Sequence, residues 1–375
     1  MDDDPRRRGR GRGGGPRGDR GPAVRVLAAM SGGVDSSVAA ALMVEEGHDV
    51  IGATLKLWEG PDGRLPSRGC CTLSDSEDAR RVAARIGIAY YVLDATEEFR
   101  AGIVDPFIAD YLQGRTPNPC IECNRIVKFD HLLRWARDLD CDLVVTGHYA
   151  RILHEVDGFR LLRGIDRDKD QSYVLSMLGQ EQLRMLRFPV GGRRKEAVRG
   201  IAAGLGLRTA EKPDSQDICF VDDDYRAFLR REVPAAARPG PILDEDGSVV
   251  GGHDGVVDFT IGQRKGLGVA FGEPRYVHEI RPSSATVVIG RRGAVRFAGL
   301  RMAHPSWVAG HPPAPGPTHV QIRAHGEPLP AVLDDDARTV HFSVPQDDVA
   351  SGQTAVLYEG EQVLGGGTIT ETLRE

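Results

Sequence analysis

Hydrophobic and polar positions along this chain fall into two textures. In the first, short continuous apolar runs alternate with stretches whose apolar residues recur at helical spacing. Val24–Ala29 is an apolar run and predicts a strand, Ser31–Asp35 reads as a Gly-containing loop, and Ser36–Glu46 carries Val38, Ala41 and Leu42 on one helical face. A strand at Val50–Leu55, a helix at Ser76–Ile86 stopped by Gly87 and a strand at Ala89–Leu93 follow. A helix over Phe129–Leu139 and a strand at Leu143–Thr146 continue the series. Strands that alternate with helices imply β-α-β units, so residues 24–215 read as a doubly wound, parallel-sheet α/β domain.

Beyond about residue 215 the texture changes. Helical spacing thins out, and turn signals such as Asp246-Gly247, Gly251-Gly252 and Pro282-Ser283 punctuate short alternating runs. Ala285–Ile289, Thr318–Ile322, Val340–Val344 and Gln353–Leu357 read as strands of a small all-β C-terminal unit, a barrel or a sandwich, with Gly310–Pro317 as a loop inside it. At 375 residues the chain exceeds one ordinary core, and roughly 150 residues per domain gives two or three domains, of which we carry three. No internal repeat is visible.

Composition changes this picture in three places. Residues 1–23 are Arg/Gly-rich and nearly without apolar side chains, so they cannot offset the entropy of ordering and read as a disordered tail. No apolar run approaches the ~18 residues that span a bilayer, and 41% hydrophobic with 27% charged residues describes a soluble protein, expected in the cytoplasm and as a monomer. The formal charge of −6 means that a nucleic-acid partner has to be held by local basic patches against the average field.

Candidate chemistry gathers in two places. The string Ser31-Gly32-Gly33-Val34-Asp35-Ser36-Ser37 lies between a strand and a helix, where unpaired amides and the positive dipole end attract anions. Two glycines let the backbone approach phosphate, and the serines supply hydroxyl donors. A Walker pattern is absent, so γ-phosphoryl transfer is not what the loop advertises. An ordinary strand-to-helix turn with a serine cap would also use such residues.

The second place is a pair of cysteine motifs, Gly114–Asn124 (GRTPNPCIECN) and Lys212–Val221 (KPDSQDICFV), both read as Pro-bounded surface loops. Arg115, Arg125, Lys128 and Lys212 stand near enough in sequence to favour thiolate. Three readings compete. A structural zinc site wants four ligands, and Cys70-Cys71 is a poor second pair for Cys120 and Cys123. Burial as small apolar residues suits Cys141, beside Leu143-Val144-Val145. A sulfur relay would use one thiol as persulfide and a second to resolve it as a disulfide.

These strings carry a resemblance. SGGVDSS resembles the pyrophosphate loop of ATP pyrophosphatases, which adenylate a carbonyl oxygen and release pyrophosphate. Together with TGHYA at Thr146–Ala150, KDQSYVL at Lys169–Leu175, FTIGQRKGLGV at Phe259–Val269 and the C-terminal GQTAVLYEGEQVLGGGTI, the two cysteine motifs resemble the tRNA-specific 2-thiouridylase family from about Val24 to Glu375. The resemblance implies an ATP pyrophosphatase domain (24–215), a central domain (216–283) and a C-terminal β-barrel (284–375). It implies an ATP- and Mg²⁺-dependent sulfurtransferase acting on the wobble uridine of tRNAs for Lys, Glu and Gln, fed by a persulfide donor such as a cysteine desulfurase or a relay protein.

Carried over position by position, Cys219 resembles the persulfide carrier and Cys123 its disulfide partner. Ala29, Met30, Ser31, Gly32, Gly33, Val34, Asp35 and Ser36, with Leu55 and Gly147, resemble the ATP site, Asp35 being associated with the metal-bound triphosphate. His148, Lys169, Asp170, Gln171, Arg323 and Gln353 resemble tRNA contacts. Many members carry Asp where this chain has Cys120, so Cys120 is a third catalytic candidate, and Cys120, Cys123 and Cys219 together suggest an iron–sulfur cluster held by three thiolates. Two alternatives remain, another nucleotide thiolase with the same loop and a non-catalytic tRNA-binding protein with a structural metal.

Overall fold

A computed structural model describes residues 22–59, 72–214, 218–221, 224–347 and 349–375. The expected tail up to residue 21, the Cys70-Cys71 pair and Ser215–Asp217 lie outside the described residues.

The first domain is organised around β1 (Arg25–Ala29), which pairs in parallel with β2 (Asp49–Lys56) on one side and β4 (Leu143–Val145) on the other. β3 (Ala89–Asp94) continues the sheet beyond β2. A hairpin of β5 (Ala150–Glu155) and β6 (Gly158–Arg163) leaves the sheet, and the short β7 (Leu186–Arg187) completes the order β3-β2-β1-β4-β7. β1 is apolar throughout because both its faces are covered. Leu27 enters one core, with Ile51, Phe99 and Val144, and Val26 and Ala28 enter the other, with Val38 and Val198. Successive side chains point to opposite faces, and that alternation produces the split.

Two helices flank the functional end of the sheet. α1 (Val34–Glu45) starts directly after the Gly32-Gly33 pair. α2 (Leu73–Ile86) begins three residues earlier than the periodicity predicts because Thr72 and Asp75 form a reciprocal capping box. Gly87 ends it in the left-handed region at φ +77°.

The central unit is a four-stranded sheet in the order β10-β11-β8-β9. Its strands are β8 (Gly240–Leu243), β9 (Val249–His253), β10 (Tyr276–Arg281) and β11 (Thr286–Gly290). β11 is a correction to the sequence reading, which groups Ala285–Ile289 with the C-terminal strands. It folds back on β10 through the Pro282–Ser284 turn and pairs in parallel with β8.

The last unit is a closed barrel of β12 (Phe297–Trp307), β13 (Gly316–Gln321), β14 (Leu329–Leu333), β15 (Thr339–Gln346), β16 (Thr354–Glu359) and β17 (Gln362–Arg374). Pairing of β12 with both β15 and β17 closes the ring, which removes exposed sheet edges. β6 of the first domain pairs with β17 (Gln362 with Leu162, Val363 with Leu161), so the hairpin joins the barrel to the parallel-sheet domain. Among the described residues, no helix is long and apolar enough to cross a membrane.

Candidate active site

Strand order places the site. β1 and β4 are neighbours, yet the chain leaves β1 for β2 on the opposite side, so a crevice opens beyond their carboxyl ends, where parallel α/β sheets bind ligands. Met30–Gly33 emerges there from β1 and Thr146–His148 from β4.

The first loop is tightly determined. Gly32 has φ +72°, and a Cβ there would strike the backbone of Asp75, with that residue's Cα at 2.7 Å. Gly33 caps α1 without any side-chain cap bond, while a Cβ on it would meet nothing nearer than Ser31 Oγ at 3.6 Å. The start of α1 thus has no side-chain cap, and the space beside Gly33 is open. Ser36 Oγ accepts from the Ser31 amide (3.1 Å) and donates to the Gly33 carbonyl (3.2 Å), and Ser37 Oγ donates to the same carbonyl (2.7 Å). Thr54 Oγ1 donates to the Met30 carbonyl at 2.5 Å, fixing the exit of β1 against β2. Gly147 closes the other side: a Cβ on it would lie 2.5 Å from the Ser36 amide nitrogen.

Around this loop the structure joins Asp35 and Lys169 to Tyr149, Lys195, Arg199 and Asp214, which the sequence reading does not single out. Asp35 Oδ1 accepts from the Tyr149 hydroxyl (2.8 Å) and from Lys195 Nζ (2.9 Å), and Lys195 also reaches Asp35 Oδ2 at 2.7 Å. Lys195 lies 2.9 Å from Asp214 as well, and Asp214 is met by Lys169 and Arg199, each at 2.9 Å. Burial opposes ionisation of Asp214, but the Lys195 and Lys169 ammonium groups hold its carboxyl down to about 2. Lys212 donates to the Gly32 carbonyl (3.1 Å), Asp75 (2.6 Å) and Asp78 (2.9 Å), so the second cysteine motif begins on the backbone of the Gly32-Gly33 loop. A trace of Lys195 is present in the sequence: Arg193-Arg194-Lys195 opens a helix, where the dipole disfavours cations.

The first cysteine motif differs in part from the sequence reading. Its opening, residues 114–118, is a turn and loop as read, but Pro119–Glu122 is a helical turn that runs on into the wider helix Cys123–His131, so both cysteines of this motif are helical; the described residues of the second motif hold no helix or strand. Pro119 starts the helical turn because its fixed φ suits a first helical position. Cys120 is thereby exposed and Cys123 buried, while Cys141 is buried as expected. Cys219 is half-buried and packs against the same core that contains Cys123. The adjacent Phe220 anchors it, meeting Phe107 at 5.2 Å, Phe228 at 5.3 Å and Phe99 at 5.6 Å between ring centroids.

Three of the cations expected to favour thiolate are engaged with carboxylates: Arg115 with Asp110, Arg125 with Glu122, and Lys212 as above. Among the described residues no three His, Cys, Asp or Glu side chains converge as a ligand set, so Cys120, Cys123 and Cys219 are not gathered to hold an iron–sulfur cluster.

The remaining candidates divide by burial. His148 is buried, bonded to Thr146 Oγ1 at 2.7 Å, and burial together with Lys128 pushes its imidazole down to about 3. Asp170 binds the Gly164 and Ser172 amides (2.9 and 3.1 Å) and Arg163 (2.6 Å). Gln171 is exposed and accepts from the Tyr149 amide (3.0 Å), and Arg323 is exposed on the barrel. Gln353 donates from the barrel to the Thr116 carbonyl (3.0 Å), while the Thr116 amide donates to Ser351 (3.0 Å), clasping the first cysteine motif. Leu55 is buried near the end of β2, and Ala29 ends β1.

Residues 24–223 match the family model described as the tRNA methyl transferase HUP domain, 226–291 that of the tRNA methyl transferase PRC-barrel domain, and 297–369 that of the aminomethyltransferase beta-barrel domain. The chain is similar to the tRNA-specific 2-thiouridylase MnmA of Roseiflexus sp. (strain RS-1), with 50% identity over 92% of this chain and 99% of that protein. It is similar to the protein of the same name from Chloroflexus aurantiacus, with 49% identity over 92% and 98%. That of Acidothermus cellulolyticus is 49% identical over 94% and 99%. Among solved structures, a 4-thiouridine synthetase–RNA complex with bound ATP aligns at TM-score 0.35 with 17% identity, over 56% of this chain and 50% of that one.

Proposed function

We propose a mechanism from the premise that this chain belongs to the tRNA-specific 2-thiouridylase family. It is a sulfurtransferase that replaces the 2-oxygen of the wobble uridine of tRNA, in tRNAs for Lys, Glu and Gln, with sulfur. A carbonyl oxygen leaves poorly, so ATP is consumed to make it leave. The uridine 2-oxygen attacks the α-phosphorus, pyrophosphate departs, and the oxygen is carried as an AMP ester.

The loop residues Ala29–Ser36 with Leu55 and Gly147 form the nucleotide site, and the amides opening α1 meet the phosphates. Asp35, the carboxylate within that loop, would hold a magnesium ion bound with the triphosphate, and such an ion disperses charge on the phosphates. The residues present fit this pair because α1 opens without a side-chain cap beside open space at Gly33, which leaves its first amides to an anion, and Asp35 supplies the hard oxygen donor that magnesium prefers. An iron–sulfur cluster does not fit the arrangement, and no step uses one.

Sulfur arrives as a persulfide on Cys219, loaded by a persulfide donor protein. Its terminal sulfur attacks C2 and AMP leaves. The Cys123 thiolate then attacks the Cys219 sulfur, the S–S bond breaks with its electrons passing to the new thiocarbonyl, and a Cys123–Cys219 disulfide remains for a dithiol reductant to reset. Cys120, one helical turn from Cys123, is exposed and acts in the entry of sulfur or the base. Exposed Gln171 and Arg323 contact the tRNA directly, while His148, Lys169, Asp170 and Gln353 act through the segments they hold.

The observation that carries this reading is the bond from Lys212, at the start of the Cys219 motif, to the Gly32 carbonyl at 3.1 Å. It ties the sulfur-bearing segment to the nucleotide loop. Mass spectrometry of tRNA nucleosides after incubation with ATP and a sulfur source tests it: 2-thiouridine is expected, and a methylated nucleoside or unmodified uridine would overturn it.

A further inference from the structure

Lys195 is the first residue of the helix Lys195–Gly204 and is 7% exposed. A buried ammonium at the positive end of a helix is doubly disfavoured and persists only with carboxylate partners. It has two, from different parts of the chain. Both oxygens of Asp35 lie within 2.9 Å of Nζ, and Asp214 is at 2.9 Å. Asp35 belongs to the phosphate loop, and Asp214 stands five positions before Cys219, a reach of at most roughly 18 Å of extended chain. Asp214 is also held by Lys169 and Arg199, which grip it independently of Asp35.

We propose that Asp214 is a positioning residue through which the Cys219 segment senses nucleotide. Lys195 is shared between Asp35 and Asp214, so a triphosphate entering the loop competes for the same ammonium and resets the hold on Asp214. This rests on the nucleotide-site and sulfur-carrier readings given above. A triphosphate carries more negative charge than either carboxylate and draws Lys195 toward the loop. Asp214 is then left to Lys169 and Arg199, and the accessibility of Cys219, five positions further on, changes. The consequence is order in time: the sulfur-bearing residue is rearranged only when ATP is present to activate the base, which spares the persulfide from unproductive thiols.

The test follows alkylation of Cys219 in the full-length protein by iodoacetamide, read by peptide mass spectrometry with and without Mg-ATP, alongside calorimetric titration with Mg-ATP. Wild type is expected to bind nucleotide and to change its Cys219 alkylation rate by about fivefold or more, the lower end of coupling between sites. Asp214→Asn is expected to bind nucleotide with the response lost, and Asp214→Glu to recover it. A response retained in Asp214→Asn, or a wild type that binds Mg-ATP without any change at Cys219, overturns the proposal. Failure of the wild type to bind Mg-ATP overturns the nucleotide-site reading itself. If Asp214→Asn does not fold by circular dichroism, Lys195→Gln at saturating nucleotide carries the same test, and a retained response there is equally fatal.

Discussion

Replacing Gly32 by alanine separates two demands that the phosphate loop makes on one residue. The first is conformational: φ is +72°, and an L-residue in the left-handed region costs about 1–2 kcal/mol. The second is steric, because the new methyl would meet the Asp75 backbone, with its carbonyl carbon and Cα each at 2.7 Å. Backbone cannot rotate away as a side chain can, and overpacking of this kind costs about 1–3 kcal/mol. Together the expected loss is about 2–5 kcal/mol. Gly47 supplies the control, since it has φ +91° and an added methyl there would meet nothing within 4 Å, so Gly47→Ala should lose only the first part. At about 2–4 °C per kcal/mol for a domain of this size, Gly47→Ala lowers the melting temperature by about 2–8 °C and Gly32→Ala by about 4–20 °C. Scanning calorimetry measures both, and titration with Mg-ATP should show binding weakened in Gly32→Ala alone. Equal melting temperatures, with nucleotide bound equally well, would refute the claim that Gly32 is required by its contact with α2.

His148 should make the protein acid-sensitive. Its folded-state value near 3 lies below the ordinary 6.5, so the unfolded chain takes up the proton first; stability is complete above pH 6.5 and falls as pH drops toward 3, by at most about 1.4 kcal/mol per pH unit. Urea unfolding at pH 7 and pH 5 should show this loss in wild type and a smaller one in His148→Gln; identical losses would argue against a neutral buried imidazole. Gln353→Ala removes the clasp on Thr116, and is expected to cost about 0.5–1.5 kcal/mol in stability and to lower thiolation kcat while Mg-ATP titration remains positive. A Gln353→Ala enzyme with full kcat would remove the link between barrel and cysteine motif. Cys141→Ser should retain thiolation while losing about 1–3 kcal/mol of stability, because it buries a hydroxyl in an apolar site; loss of activity in a folded Cys141→Ser would assign that thiol a role it lacks here.

The parallel domain is legible in the sequence because its central strand is apolar on both faces: Val26, Leu27 and Ala28 leave little room for another reading. Boundaries are less so, and the start of α2 at Leu73 depends on a Thr72–Asp75 capping box that periodicity does not see. Ala285–Ile289 groups with the barrel by pattern because a strand pattern does not encode partners; only the fold of Pro282–Ser284 returns it to β10. The hairpin Ala150–Arg163 has only the turn signal Asp157-Gly158 to announce it, and its pairing with β17 is a long-range fact. The first cysteine motif reads as a loop because its prolines suggest one, whereas Pro119 begins a helix and so separates an exposed Cys120 from a buried Cys123. Tyr149 is invisible as a site residue in the sequence and Lys195 leaves only the trace of cations opening a helix, since Asp35 recruits them from positions 114 and 160 residues away.

The central claim is that sulfur moves from Cys219 to an ATP-activated uridine in a site built on the Gly32-Gly33 loop. The most direct measurement supplies purified enzyme with tRNA, Mg-ATP and a persulfide donor, and quantifies 2-thiouridine by nucleoside mass spectrometry in wild type and in Cys219→Ser. ATP-dependent 2-thiouridine is predicted in wild type and none in Cys219→Ser; thiolation that persists in Cys219→Ser, or proceeds without ATP, would contradict the claim.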